Sequence, residues 1–199
     1  KVHLSKNVEI CFLVDATGSM QEHIDGVRES INTIVDLLTL PMPAEKSRTV
    51  ADEIRLSFVA YRDFGDRDQF KILNFTKSVN EFKEFCANLK ATGGGDACED
   101  VFGGLDKALN LSWSDDCGTK LIFHICDAPG HGKKYYDLPS DCSLASYDNR
   151  SDHLFEKDEE FYFNILFHKK IDYYFGKINS YTDKMIKVFS DAYPSEIIQ

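Results

Sequence analysis

The sequence is short of positive charge. Its 199 residues carry 23 Lys and Arg against 33 Asp and Glu, a formal net charge of −10. That balance argues against nucleic acid as a partner, because neutralising phosphate needs a basic surface, and it favours cations. A long apolar run is also missing: no stretch reaches the roughly 18 residues that a membrane-crossing helix needs. The six cysteines, at 11, 86, 98, 117, 126 and 142, form no CxxC pair and no metal-finger spacing. No signal or transit peptide is recognisable at the start. The chain opens almost on its first strand, so it reads as one domain over 1–199, a segment of a longer protein. Compartment stays open. Cys11 and Cys126 lie inside apolar runs, where a thiol behaves as a small hydrophobe, and this favours a reducing, cytoplasmic location. Three glycosylation sequons, at Asn74, Asn110 and Asn149, point outward.

What is present is ordinary globular material, 43% hydrophobic and 28% charged, in which strand-like and helix-like segments alternate. Residues 8–14 are nearly continuously apolar, the mark of a parallel strand covered on both faces. Over 21–39, Ile24, Val27, Ile31, Ile34, Val35 and Leu38 recur at helical spacing, and Leu40-Pro-Met-Pro stops the helix. Strands follow at 54–61 and 70–75, joined by the polar turn 62–68. A helix over 78–90 leads to the glycine-rich stretch Thr92-Gly-Gly-Gly-Asp96. Helix resumes over 98–111, then come a buried strand at 121–126 and a polar, loop-like stretch over 133–150. A helix over 153–169, a strand over 171–178 and a helix over 181–192 complete the chain. This alternation predicts an α/β domain: an open, doubly wound, mostly parallel sheet flanked by helices, Rossmann-like in its layering. In such sheets ligands bind beyond the carboxyl ends of the strands.

Three loops lie at that edge. The first is Asp15-Ala-Thr-Gly-Ser-Met, which places a carboxylate and two hydroxyls at alternate positions directly after a buried strand. Hard oxygen ligands of this kind suit Mg²⁺, Mn²⁺ or Ca²⁺. Taken singly, Asp15 could equally be a helix cap, as could Thr17 and Ser19. The second is the glycine loop with Asp96 and Glu99. The third begins at Asp127, again directly after an apolar strand, and continues Ala-Pro-Gly-His131-Gly.

The Asp-x-Ser/Thr-x-Ser pattern at Asp15, Thr17 and Ser19 resembles the metal-ion-dependent adhesion site of von Willebrand factor A domains. The resemblance extends over nearly the whole chain. It implies a metal held by Asp15, Thr17, Ser19 and Asp127, with Asp96 where a second-loop threonine often lies and Thr92 as a weaker alternative. Asp96-Ala-Cys-Glu99 is also similar to the Asp-x-x-Glu segment of integrin β-subunit inserted domains, in which the glutamate contacts the metal. Glu99 and Asp96 therefore compete for that position, although Glu99 could instead favour the positive start of the next helix. Glu22 falls where integrins hold a second Ca²⁺, but its neighbours do not match. Phe58-Val-Ala-Tyr-Arg-Asp-Phe, the glycine loop, Asp127-Ala-Pro-Gly-His-Gly and the stretch 171–179 resemble von Willebrand A domains of eukaryotic α-kinase proteins. In that group the kinase chemistry lies in a separate domain.

The resemblance implies a metal-dependent protein-binding module that leaves one metal position for an acidic group of a partner. His131 is expected to stabilise its own turn, with a hydrogen bond into the site or contact with the ligand as alternatives. Arg62 and Asp63 are expected to form an ion pair beside the site. Two other classes remain. One is an enzyme, since Asp15-x-Thr-Gly-Ser resembles the phosphorylated loop of P-type ATPases and related phosphotransferases, with Asp15 as nucleophile. Ala16 replaces the lysine of that motif, and Ala-Pro-Gly-His after Asp127 lacks the late acidic pair. The other is a structural module whose acidic crevice holds its loops together. Several carboxylates in one crevice repel and raise at least one pKa unless a cation intervenes.

Overall fold

The computed structural model describes residues 6–39, 53–152 and 156–193. A five-stranded sheet runs through its centre: β1 (Asn7–Asp15), β2 (Glu53–Tyr61), β3 (Phe70–Thr76), β4 (Thr119–Cys126) and β5 (Ile171–Lys177), in the order β3-β2-β1-β4-β5. Strand β1 is central and parallel to both neighbours, with Val14 beside Ala60 on one side and Ile125 on the other. Only β3 is antiparallel. Its link to β2 is too short for a parallel crossover, which needs about a dozen residues or more.

Period-2 alternation divides the core between the two faces. Ile10, Phe12, Val14, Leu56, Phe58 and Ala60 point to the side covered by α1 (Ile24–Thr39) and α2 (Val79–Ala87). Cys11, Leu13, Val59, Tyr61, Ile122 and Tyr173 point to the side covered by α3 (Val101–Leu109), α5 (Glu159–Lys169) and α6 (Asp183–Ala192). Phe12, Phe58 and Phe82 are buried to within 1%, and burying each such side chain contributes about 1.5–3 kcal/mol.

The described elements follow the sequence pattern with local shifts. The first helical segment starts as a 3-10 turn, Gly18–Glu22, before α1 begins at Ile24. Helix α3 begins at Val101, later than its apolar pattern predicts, because Asp100 caps it by accepting from the Gly103 N–H at 2.8 Å. The stretch 133–150, expected to be loop, contains the short helix α4 (Leu144–Tyr147), capped by Ser143. The Leu40-Pro-Met-Pro stop signal and residues 153–155 lie outside the described residues. All six cysteines are unpaired. No described helix is long and apolar enough to cross a membrane.

Candidate functional site

The chain runs outward from β1 through β2 to β3, then returns to the other side of β1 to build β4 and β5. The order therefore reverses between β1 and β4, and the loops leaving those two strands diverge to open a crevice. Asp15, the last residue of β1, and Asp127, the first after β4, stand at that point.

A chain of side-chain hydrogen bonds joins them. Asp15 Oδ1 accepts from the Thr17 backbone N–H at 2.8 Å and from the Thr17 hydroxyl at 2.7 Å. Thr17 Oγ1 lies 3.3 Å from Ser19 Oγ, which donates to Asp127 Oδ1 at 3.0 Å. Two carboxylates and two hydroxyls from separate loops thus share one small volume.

Glu99 is the fifth member. It is 3% exposed, and a β-carbon added at Gly94 would lie 3.2 Å from Glu99 Oε1 and 3.4 Å from Thr17 Cβ, so the Gly94 backbone packs closely against both side chains. Gly94 also holds φ at +83°, a backbone state that glycine enters at no steric cost. Burial, and secondarily the Asp15 charge, push the Glu99 carboxyl up to about 10. Burial likewise raises Asp15 to about 7, with Asp127 adding to the rise and the Thr17 hydrogen bonds opposing it. Asp15 Oδ2 and Glu99 Oε2 are both buried with no hydrogen-bond partner. Buried polar atoms are almost always satisfied, so two orphaned carboxylate oxygens in one crevice call for a positive group. The donor set, hard oxygens on rigid loops, suits a Mg²⁺-class ion.

Backbone contacts fix the three loops to one another. Ala16 N–H donates to Tyr61 O, Thr92 N–H to Ala16 O, and Gly18 N–H to Gly93 O. Glu99 N–H donates to Pro129 O at 3.0 Å, and Glu99 forms an isolated parallel bridge with Gly130.

The other sequence-derived positions sit around this centre. Asp96 is half-buried and lines the same cavity, but both its oxygens are engaged: Oδ1 accepts from Cys98 N–H and Oδ2 from Asn149 N–H. Thr92 is exposed and acts through its backbone. Arg62 does not pair with Asp63. It is fully buried and donates to the carbonyls of Thr92, Lys90 and Asp68 at 3.0, 2.7 and 2.7 Å, so its guanidinium clamps the base of the glycine loop. His131 does more than steady its own turn. Its side chain is wholly buried, with Nε2 2.7 Å from Asp63 Oδ1 and Nδ1 2.8 Å from Asp148 Oδ1. Burial opposes its charge, but the two aspartates prevail and raise its pKa.

Asp63, Asp66 and Asp148 carry roles that pattern reading did not reach. Asp66 Oδ2 accepts from Gly94 N–H and Asp63 N–H, linking the polar turn to the glycine loop. Asp148 ties together His131, Gly132 N–H, Arg150 N–H and the Tyr136 hydroxyl. No local periodicity marks any of them. Asp63 stands out only through its Tyr-Arg-Asp motif, and the cue for Asp66 and Asp148 is a polar, turn-forming context.

A doubly wound sheet with acidic and hydroxyl side chains at its strand-order reversal defines an α/β domain of the open-sheet class, in which that edge is where ligands bind. The chain belongs to the von Willebrand factor A domain family, whose sequence profile matches residues 9–138. It is 31% identical over 190 residues to alpha-protein kinase vwkA of Dictyostelium discoideum, covering 94% of this chain and 28% of the kinase. It is 28% identical over 126 residues to an ariadne-like RING finger protein of Acanthamoeba polyphaga mimivirus, covering 63% of this chain and 11% of that protein. The chain thus spans about a quarter or less of the length of these relatives. Among solved structures, the fold is similar to the pilus adhesin SpaC of Lactobacillus rhamnosus GG, with a TM-score of 0.58 at 10% identity over 96% of this chain and 27% of the adhesin. It is also similar to proximal thread matrix protein 1 of the mussel byssus, with a TM-score of 0.52 at 14% identity over 95% of this chain and 46% of that one. Domains of this family are commonly protein-interaction modules and generally not catalytic.

Proposed function

We propose that this domain is a metal-dependent protein-binding module. Asp15, Thr17, Ser19, Asp127 and Glu99 would hold a divalent cation, Mg²⁺ first with Mn²⁺ or Ca²⁺ as alternatives, and the ion would accept an acidic side chain of a partner protein. The observation that carries this reading is the pair of buried, unpartnered oxygens, Asp15 Oδ2 and Glu99 Oε2, on one hydrogen-bonded loop cluster. The same observation favours Glu99 over Asp96 as a direct ligand, since both Asp96 oxygens already accept backbone N–H groups. Asp96 would stand behind the ligands and fix the turn that carries Glu99. When bound, the ion supplies a Lewis-acidic position for a carboxylate. The chain's own groups orient it, neutralise it and exclude water from one side. Three carboxylates around a divalent ion leave the assembly one charge negative, which weakens its pull on a further carboxylate. Affinity would therefore depend on contacts beyond the metal.

The test is thermal unfolding of the chain with and without each ion. A ligand bound only to the folded state, at one hundred times its dissociation constant, stabilises by about 2.7 kcal/mol. Mg²⁺ or Mn²⁺ should raise the unfolding temperature of the wild type and leave Asp15→Ala unmoved. No shift with Mg²⁺, Mn²⁺ or Ca²⁺ would favour a structural role for the acidic crevice instead.

A further inference from the structure

Arg62 holds a positive charge in the interior, 1% exposed, yet no carboxylate touches it among the described residues. Its guanidinium donates instead to three neutral carbonyls, those of Thr92, Lys90 and Asp68. We propose that Arg62 is the counter-charge of the metal site. Acting across the base of the glycine loop, it weakens the hold on the cation and strengthens the hold of the loaded site on a partner's carboxylate. The inference rests on the metal-bridge reading above and adds the residue that sets its affinities.

Geometry places this charge behind Asp15. Tyr61 is the strand partner of Asp15, and Arg62 follows it directly. The guanidinium donates to Thr92 O, while Thr92 N–H donates to the carbonyl of Ala16, the next residue after Asp15. A single residue therefore separates the guanidinium from the backbone of the first metal loop. The carbonyls satisfy its N–H groups, but a charge taken out of water also needs an opposite charge. Arginine cannot shed its proton to escape that cost. Burial works against the charge, and the acids that favour it are, in order, Asp68, Asp66 and Asp15. Asp68 is exposed and pairs with Lys71 at 3.6 Å. Asp66 is half-buried and already accepts two backbone N–H groups. Asp15 is wholly buried with one oxygen unpartnered, so there the charge acts with least screening.

The balance of charge then has a direction. Asp15, Asp127 and Glu99 around a divalent ion leave one negative charge, and Arg62 matches it. A neutral assembly accepts a carboxylate more readily than an anionic one, and the same positive charge repels the ion itself. A clamp that only shaped the loop would have neither effect.

The test compares Arg62→Met, which removes the charge, with Arg62→Lys, which keeps it and loses the planar fork. Both give up carbonyl contacts, so wild type and variants are measured in sucrose, which favours the folded state. Calorimetry reads Mn²⁺ binding. Acetate binding to the Mn²⁺-loaded chain is read from the fall in water-proton relaxation as metal-bound water is displaced. Arg62→Met should bind Mn²⁺ about fivefold more tightly than wild type and acetate about fivefold more weakly, the order of a unit charge acting without contact through an intermediate dielectric. Arg62→Lys should restore both affinities although its unfolding temperature also falls. Arg62→Gln, which removes the charge but keeps two N–H donors, takes the place of Arg62→Met if that variant does not fold. Mn²⁺ binding that weakens or stays level in the uncharged variant would overturn the inference and reduce Arg62 to a clamp on the loop. Acetate affinity equal in the charged and uncharged variants counts against it in the same way. Wild type that binds no Mn²⁺ would remove the metal bridge, and this inference with it.

Discussion

Two clusters of buried carboxylates lie side by side on the sheet's upper edge, and they solve the same electrostatic problem in opposite ways. In one, Asp63 and Asp148 enclose His131, so an internal imidazole whose charged form both aspartates favour sits between them. Asp148 is held below its usual range because the His131 hydrogen bond and the backbone N–H groups of Gly132 and Arg150 outweigh its burial. Phe64 packs on the imidazole at 5.5 Å, and the Arg150 guanidinium covers Phe64 from outside at 4.4 Å. In the other, Asp15 and Glu99 crowd around Thr17 with no described cationic side chain hydrogen-bonded to either, and both are pushed up. The first cluster is complete within the chain. The second has unmatched acceptor capacity, which marks it as the place where something from outside belongs.

The sharpest way to break this contrast is to remove the charge that each cluster contains. His131→Leu leaves Asp63 and Asp148 buried without the one ionisable base between them, with only N–H and hydroxyl donors remaining, and breaking a buried pair in that way costs about 3–5 kcal/mol. Asp15→Asn, in metal-free protein, removes one of three neighbouring carboxyls while keeping an oxygen to accept from Thr17. It should leave stability unchanged or raise it. Urea unfolding of both variants in EDTA checks the opposite signs. Equal losses in the two would mean that Asp15 is as fully matched as His131.

A pH titration of the metal-free protein separates the clusters next. A carboxyl whose folded pKa is raised holds its proton in the native state while the unfolded chain has lost it, so stability falls as pH rises. For Asp15 that window runs from about 4, the unfolded value, to about 7, and for Glu99 it extends to about 10. His131 contributes in the same direction but over another range. Its stabilisation is full below about 6.5 and is lost as pH climbs through its raised folded value. Unfolding temperatures in EDTA should therefore decline from pH 4 upward, and saturating Mg²⁺ should flatten the decline belonging to Asp15 and Glu99. The His131 component should survive in Asp15→Asn/Glu99→Gln. A decline that Mg²⁺ does not alter would place the titrating groups outside the metal site.

The two clusters also differ in how far they can be read from sequence. Asp15, Thr17, Ser19 and Asp127 were legible because each follows directly from a buried strand. The apolar run of β1 and that of β4 fix where the chain emerges, and the alternation of strands and helices fixes which end of the sheet that is. The sheet and its flanking layers were legible for the same reason. Sequence does not separate Asp96 from Glu99, because a turn three residues long can rotate either side chain into the crevice. An Asx-type hydrogen bond from Cys98 N–H holds Asp96 aside, and the contact between Glu99 N–H and Pro129 O turns Glu99 inward. The His131 clamp was hidden altogether. Its partners lie 68 and 17 residues away, one in a polar turn and one in a stretch with no periodicity. Pairings of that kind depend on tertiary placement, which local pattern does not encode.

The finest test concerns the backbone packed against Thr17 and Glu99. Gly94 keeps φ at +83° and lies so close to both side chains that a β-carbon would press on them. Gly94→Ala costs about 1–2 kcal/mol for the left-handed conformation alone. Its new methyl, 3.2 Å from Glu99 Oε1, also presses that carboxylate away from its position. Gly95 lies in the same exposed loop with no atom near a would-be β-carbon and without a positive φ, so Gly95→Ala serves as the control. If Glu99 is a ligand, Gly94→Ala weakens Mg²⁺ binding, read as a smaller metal-induced rise in unfolding temperature, beyond its effect on the metal-free protein. If Asp96 holds the ion instead, the variant lowers both unfolding temperatures equally and the metal-induced rise is preserved. The metal-induced difference, rather than the stability loss itself, therefore distinguishes an unmatched Glu99 awaiting its cation from one that merely fills the crevice.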